Sequence, residues 1–189
     1  MIDVVEKLTD INYEKYESVI FDCFGTILNI TDKTYPYYYY LKHHGISDKS
    51  IYSFIMKNPI KLEDLNFHLN LKEDVSILNH SKKLLQNELK SIKFFKDSIE
   101  ILTLLKSKKI LICSNLAFPY GESLKNIDSL KILSYEVGLI KPEFEIYELC
   151  LDKLQSKPQN TVFIGDNHLC DYLTPKKLGI NSFLIKRNN

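Results

Sequence analysis

Arginine is almost missing from this sequence: Arg187 is its only one, against a lysine-rich background that balances the acids to a net charge of +1. A nearly neutral chain has no broad electrostatic footprint for nucleic acid or an anionic membrane, so neither partner is expected. Cysteine is sparse too. Cys23, Cys113, Cys150 and Cys170 lie far apart with no C-x-x-C pair, which fits buried reduced thiols better than a disulfide or zinc framework. No apolar run approaches membrane-spanning length, and Met1-Ile2-Asp3-Val4-Val5-Glu6 carries acids where a signal peptide needs a basic region. A cytoplasmic protein is the expectation. There is no internal repeat, and only Tyr37 to Tyr40 approaches low complexity; those rings are expected to pack and shield.

What is present is enough for a proper core: 189 residues, 44% of them hydrophobic, suit one domain or a domain with a modest insertion. The most informative stretch is Val19-Ile20-Phe21-Asp22-Cys23-Phe24-Gly25-Thr26-Ile27-Leu28, a β-prone run that delivers one carboxylate to a glycine turn. Before it, Val4, Val5, Leu8 and Ile11 at roughly helical spacing predict a short leading helix. After it, from about Asn29 to Lys93, no convincing strand is visible. Helices are predicted from Asp32 to His44, closed by Gly45, and from Asp48 to Lys57, stopped by Asn58-Pro59. Leu71, Val75, Leu78, Leu85, Leu89 and Ile92 mark one long amphipathic helix.

From Phe95 helices and strands alternate. Asp97-Ser98-Ile99-Glu100 reads as an acidic capping box opening a helix to Lys106. Lys109 to Ser114 reads as a buried strand, Ile132 to Tyr135 as a weaker one, and Glu143 to Leu154 as a helix with Pro142 at its first position. Thr161 to Ile164 and Ser182 to Ile185 are the last strands, with a helix between them ending at Leu178-Gly179. This alternation predicts an α/β fold: a Rossmann-like, mostly parallel sheet with helices on both faces. Residues 1–28 and 94–189 would form the core, and 29–93 an inserted helical unit.

Ligands of open parallel sheets bind beyond the carboxyl ends of the strands. The ends to inspect are therefore Asp22, Ser114-Asn115, and Gly165-Asp166-Asn167 with Asp171 following. Lys141, just before a predicted helix, faces the unfavourable end of its dipole, worth roughly 0.3 to 1 kcal/mol unless an anion is near. Taken singly, each has a plainer explanation: a turn acid, a strand-end hydroxyl, a solvated lysine.

Taken together, these residues resemble the four motifs of the haloacid dehalogenase-like hydrolases, in order and spacing from Val19 to the C-terminus. Asp22-Cys23-Phe24-Gly25-Thr26 is similar to the first motif, Ser114 to the second, Lys141-Pro142 to the third, and Gly165-Asp166-Asn167-His168-Leu169-Cys170-Asp171 to the fourth. The resemblance implies a helical cap of the first type closing over the site, and Asp22 as a nucleophile toward phosphorus. An anionic nucleophile is repelled by a phosphate dianion, so cations must neutralise the approach. Mg²⁺ and Lys141 would do so, with Asp22, Asp166 and the Phe24 carbonyl as metal ligands and Asp171 acting through water or by holding Lys141. Ser114 would stabilise charge on a phosphate oxygen, with Asn115 and Thr26 as further substrate contacts.

One position departs from the pattern. Phosphatases of this family usually carry a second Asp two residues after the nucleophile as general acid, and here that residue is Phe24. Loss of such a group forfeits about 10²- to 10⁴-fold in rate. Three readings follow. The first is a Mg²⁺-dependent phosphatase of a small phosphorylated metabolite, its substrate having a good leaving group or its cap supplying the acid, with His43 and His44 as candidates. The second is a 2-haloacid dehalogenase, which also has an aromatic residue at that position but takes an arginine from the cap region. No arginine occurs from Asn29 to Lys93. The third is a binding or regulatory module that keeps the fold without the activity.

Overall fold

The computed structural model describes residues 3–187. In chain order its strands are β1 (Val4–Val5), β2 (Ser18–Phe21), β3 (Leu28–Ile30), β4 (Ile92–Phe94), β5 (Lys109–Ser114), β6 (Leu130–Leu133), β7 (Thr161–Gly165) and β8 (Asn181–Ile185). Its α-helices are α1 (Pro36–His43), α2 (Ser50–Lys57), α3 (Leu65–His68), α4 (Val75–Lys90), α5 (Lys96–Leu104), α6 (Ser134–Val137), α7 (Phe144–Leu154) and α8 (Thr174–Lys177). Six strands form one sheet in the order β1-β8-β7-β2-β5-β6, every pair parallel. The expected α/β fold is what the chain adopts.

A strand covered on both faces must be apolar on both, and β2 meets that demand with Val19, Ile20 and Phe21 wholly buried. Successive side chains point to opposite faces. Val19 and Phe21 therefore join Ile112, Val162 and Ile164 in one core. Ile20 joins Leu111, Cys113 and Phe163 in the other, against Ile146, Tyr147, Cys150 and Leu154 of α7. The chain runs outward from β2 to β5 and β6, then returns to β7 on the opposite flank of β2. That reversal falls beside β2, where ligands of such sheets bind, and β2 leads directly into Asp22.

Residues 31–91, with α1 to α4, lie between β3 and β4, which pair antiparallel with Asn29 opposite Lys93. This ribbon corrects the strandless reading of 29–93. Strands of three residues, half exposed, leave no alternation to detect. The long helix is shorter than its apolar repeat suggests, starting at Val75 where Asp74 accepts from the Ser76 and Ile77 amides at 3.0 and 3.1 Å.

The leading segment is corrected as well. Val4 and Val5 form an edge strand parallel to β8, followed by two 3₁₀ turns. The open edge of β8 takes backbone bonds that no local helix could offer: the Leu184 and Lys186 amides donate to the Asp3 and Val5 carbonyls, both at 2.9 Å. Three smaller differences lie in the second half. α6 begins at Ser134, so the weak strand ends at Leu133. α7 starts at Phe144 with Glu143 as its cap residue, leaving Pro142 outside. Asp97 lies inside the first turn of α5 and caps nothing, its carboxylate being taken by the Leu8 amide at 2.7 Å. No helix among the described residues is long and apolar enough to cross a membrane.

Candidate active site

The centre of the site is a buried lysine. Lys141 Nζ donates to Asp22 Oδ1 and to Asp171 Oδ1, each at 2.7 Å, with only 3% of its side chain exposed. Its ammonium also lies 5.3 Å from the centre of the Phe163 ring. An ammonium has three protons and two are used, so one donor remains for an incoming oxygen. Asp22 follows β2, its amide donating to the Ile164 carbonyl of β7 at 2.8 Å. Asp171 receives a second bond, from the Asn167 amide to Oδ2 at 2.9 Å. Both of its oxygens are thereby committed.

Two glycines make room for the carboxylates. A Cβ at Gly25 would meet Asp166 Oδ2 at 2.2 Å, and its φ of +86° is one that other residues resist. At Gly165 a Cβ would lie 2.4 Å from the Asp171 carboxyl. Asn167 caps the helical segment that carries Asp171, accepting from the Leu169 and Cys170 amides at 3.1 and 2.9 Å. That segment begins at His168 as a wide π-type turn and becomes α-helical at Thr174, with Pro175 in the first turn. The proline is therefore harmless, and Asp171 is fixed before it.

Burial pushes Asp22 up, the charges of Asp171 and Asp166 add to this, and Lys141 pulls it back. Asp166 is raised by burial and by Asp171. For Lys141, burial disfavours the charge, but Asp171 and Asp22 more than offset it and hold the ammonium well above the ordinary lysine range. Three carboxylates thus face one lysine. Oxygens of Asp22, Asp166 and Asp171 all lie within 4.8 Å of one another. Mg²⁺ takes hard oxygen ligands, so this all-oxygen donor set suits it by chemistry. The Phe24 carbonyl accepts no backbone hydrogen bond from a described residue and is open to such a role.

Other residues singled out in the sequence behave differently. Ser114 closes β5, buried, in register with Leu133. Asn115 is bonded to the Lys141 backbone: its Nδ2 donates to the Lys141 carbonyl at 2.7 Å and its Oδ1 accepts from the Lys141 amide at 2.8 Å. It fixes the backbone that carries the lysine. Thr26 is wholly buried, its hydroxyl 3.4 Å from Asp22 Oδ2, so it supports the carboxylate from below. His43 packs against Tyr39 with ring centres 4.6 Å apart and His44 against Tyr40 at 4.8 Å, both pairs tilted by 54°. These contacts hold both rings against α1, and the carboxylate cluster includes neither.

Sequence reasoning also missed what backs Phe24. Its ring meets Tyr120 edge-on at 5.8 Å and 82°, and Tyr120 donates to the buried Glu88 of α4 at 3.1 Å. Glu88 Oε2 accepts from the Thr34 and Tyr35 amides at 2.9 and 2.8 Å. Partners drawn from 24, 34, 88 and 120 share no spacing that could have announced them.

Comparison with known proteins agrees with this fold. A HAD family enzyme from Bacteroides thetaiotaomicron, crystallised with magnesium and inorganic phosphate, has a TM-score of 0.66 at 17% identity, over 92% of this chain and 96% of that one. A HAD phosphatase from Thermococcus onnurineus gives 0.63 at 22% identity, over 92% and 87%. These likenesses show the fold. The human haloacid dehalogenase-like hydrolase domain-containing protein 3 is 32% identical over 65 residues, a match spanning 34% of this chain and 26% of that protein's length. The family model described as haloacid dehalogenase-like hydrolase matches residues 16–179. Since that span holds Asp22, Lys141, Asp166 and Asp171 and the strands that carry them, the chain belongs to the haloacid dehalogenase-like hydrolases.

Proposed function

We propose that this hydrolase is a Mg²⁺-dependent phosphatase of a small phosphorylated metabolite, with Asp22 as nucleophile. The observation that carries the reading is the surplus of charge at the site: three carboxylates around one buried ammonium. Asp22 and Asp166, with the Phe24 carbonyl, would hold Mg²⁺, and Asp171, already bound to Lys141 and the Asn167 amide, would act on it through water. The ion would neutralise the phosphoryl oxygens as the carboxylate approaches. Similar proteins carry the same expectation, one being crystallised with magnesium and phosphate and another described as a phosphatase.

In the first step an Asp22 oxygen forms a bond to phosphorus while the bond from phosphorus to the leaving oxygen breaks, giving an aspartyl phosphate. Lys141 donates its remaining proton as a hydrogen bond to a phosphoryl oxygen, and Ser114 does the same from the end of β5. Water then attacks phosphorus, the bond from phosphorus to the Asp22 oxygen breaks, and the water's proton leaves on the inorganic phosphate, restoring the Asp22 carboxylate. Phe24 can neither give a proton to the leaving oxygen nor take one from water. Substrates whose leaving group is already a weak base, such as acyl phosphates, are therefore favoured over alkyl phosphates. The helices of residues 31–91 would act as the cap, excluding water and selecting substrate.

The test is a panel of acyl phosphates, alkyl phosphates and 2-haloacids, with and without Mg²⁺, alongside Asp22→Asn. Mg²⁺-dependent phosphate release from acyl phosphates, abolished by Asp22→Asn, is the expected outcome. Halide release without metal would overturn the reading. Inactivity throughout, with no metal bound, would favour a module that keeps the fold alone.

A further inference from the structure

We infer that Arg187 is a positioning residue of the active site, its guanidinium fixing the turn that follows Asp22. The role rests on the reading of Asp22 as nucleophile. Arg187 is the chain's only arginine and lies outside the span that the family model matches. It comes from the segment after β8, yet its side chain is only 10% exposed. Nη1 donates to both oxygens of Asp97 at 2.8 Å, Nη2 donates to the Thr26 carbonyl, and the guanidinium lies 4.2 Å from the centre of the Phe95 ring. A desolvated cation is costly unless its donors are used; Nη1 and Nη2 are used, and Nε is buried without a partner among the described residues. Only a planar fork can serve a carboxylate, a carbonyl and a ring face together.

Two of these contacts, to Thr26 and to Phe95, lead to one turn. Thr26, whose carbonyl takes Nη2, has its hydroxyl 3.4 Å from Asp22 Oδ2. Phe95, under the guanidinium, donates its amide to the Ile27 carbonyl at 3.0 Å. The Ile27 and Leu28 amides in turn donate to the Cys23 carbonyl at 2.8 and 2.9 Å, closing the turn. On the far side Asp97 Oδ2 also accepts from the Leu8 amide at 2.7 Å. The leading segment thereby gains a part to play, as it braces the carboxylate that holds Arg187. Arg187 touches no reacting atom. Its loss should let the turn shift and so lower the rate of the chemical step while substrate binding stays nearly unchanged.

The experiment compares Arg187→Ala, Arg187→Lys and Asp97→Asn with the wild-type chain, using acetyl phosphate and p-nitrophenyl phosphate with Mg²⁺. Amide hydrogen exchange is followed at Gly25, Ile27 and Leu28. For Arg187→Ala, kcat is expected to fall roughly tenfold or more, with KM within about twofold and faster exchange at those amides. Arg187→Lys should recover part of both, because an ammonium can reach one acceptor but not the full set. Should Arg187→Ala not fold, Arg187→Lys and Asp97→Asn supply the same comparison. Folded variants with wild-type kcat and unchanged exchange at the three amides would overturn the inference. A wild-type chain inactive on both probes would count against the phosphatase reading alone, and the exchange rates would still decide the role of Arg187.

Discussion

At the position two residues beyond Asp22, the Phe24 ring lies edge-on to Tyr120, whose hydroxyl is committed to the Glu88 carboxylate. Burial, together with the charge and hydrogen bond of Glu88, pushes the Tyr120 hydroxyl far above its ordinary range, so Tyr120 is no substitute acid. In the proposed reaction Asp22 makes and breaks the bond to phosphorus, while position 24, a Phe, offers no proton donor. Phe24→Asp is expected to restore one and raise turnover of alkyl phosphates, toward the roughly 10²- to 10⁴-fold that such a group contributes. The lost ring contact with Tyr120 should lower the melting temperature of the same variant. Steady-state rates on alkyl and acyl phosphates check this: an alkyl gain without a matching acyl gain is the expected pattern. A folded variant with no alkyl gain would place the defect elsewhere.

Between elements, α2 is joined to the loop after Lys141. Lys57 at the end of α2 bonds Glu143 at 2.5 Å, and the other Glu143 oxygen accepts from the Ile140 amide at 3.1 Å. The bond from Lys57 holds the Glu143 carboxyl below its usual 4.5. A carboxyl lowered on folding contributes stability above its unfolded pKa and loses it as pH falls through the folded value. Both side chains are about a third exposed, so screening keeps the contribution small. Lys57→Met should melt slightly below the wild-type chain at about pH 7, the gap narrowing as pH falls below the ordinary carboxyl range; a gap undiminished in acid would rule the pair out. At this scale much was legible in the sequence. β5 keeps its read boundaries, Lys109 to Ser114, because both of its faces are buried and its ends carry polar residues. What stayed hidden depends on distant partners: Val4 and Val5 become a strand only because β8 has an open edge, and Asn115 turns inward only because the Lys141 backbone lies opposite.

For the molecule as a whole, the carboxylate cluster is a store of repulsion that a cation should relieve. A ligand that binds only the folded state stabilises it by about 2.7 kcal/mol at one hundred times its dissociation constant. Mg²⁺ is expected to raise the melting temperature relative to NaCl of matched ionic strength, and Asp166→Asn to abolish most of that rise. An equal rise in the variant, or none in the wild-type chain, would remove Asp166 from the metal site. The paired strands β3 and β4 carry a different consequence. They bring the two ends of residues 31–91 together, Ile30 opposite Ile92, so that toward the sheet this whole stretch occupies the place of a hairpin turn. The register of β2 with β5 and β7 is set without it. The fold is in that sense modular: a change of length beyond the ribbon is expected to leave the register of the strands flanking Asp22 as it is.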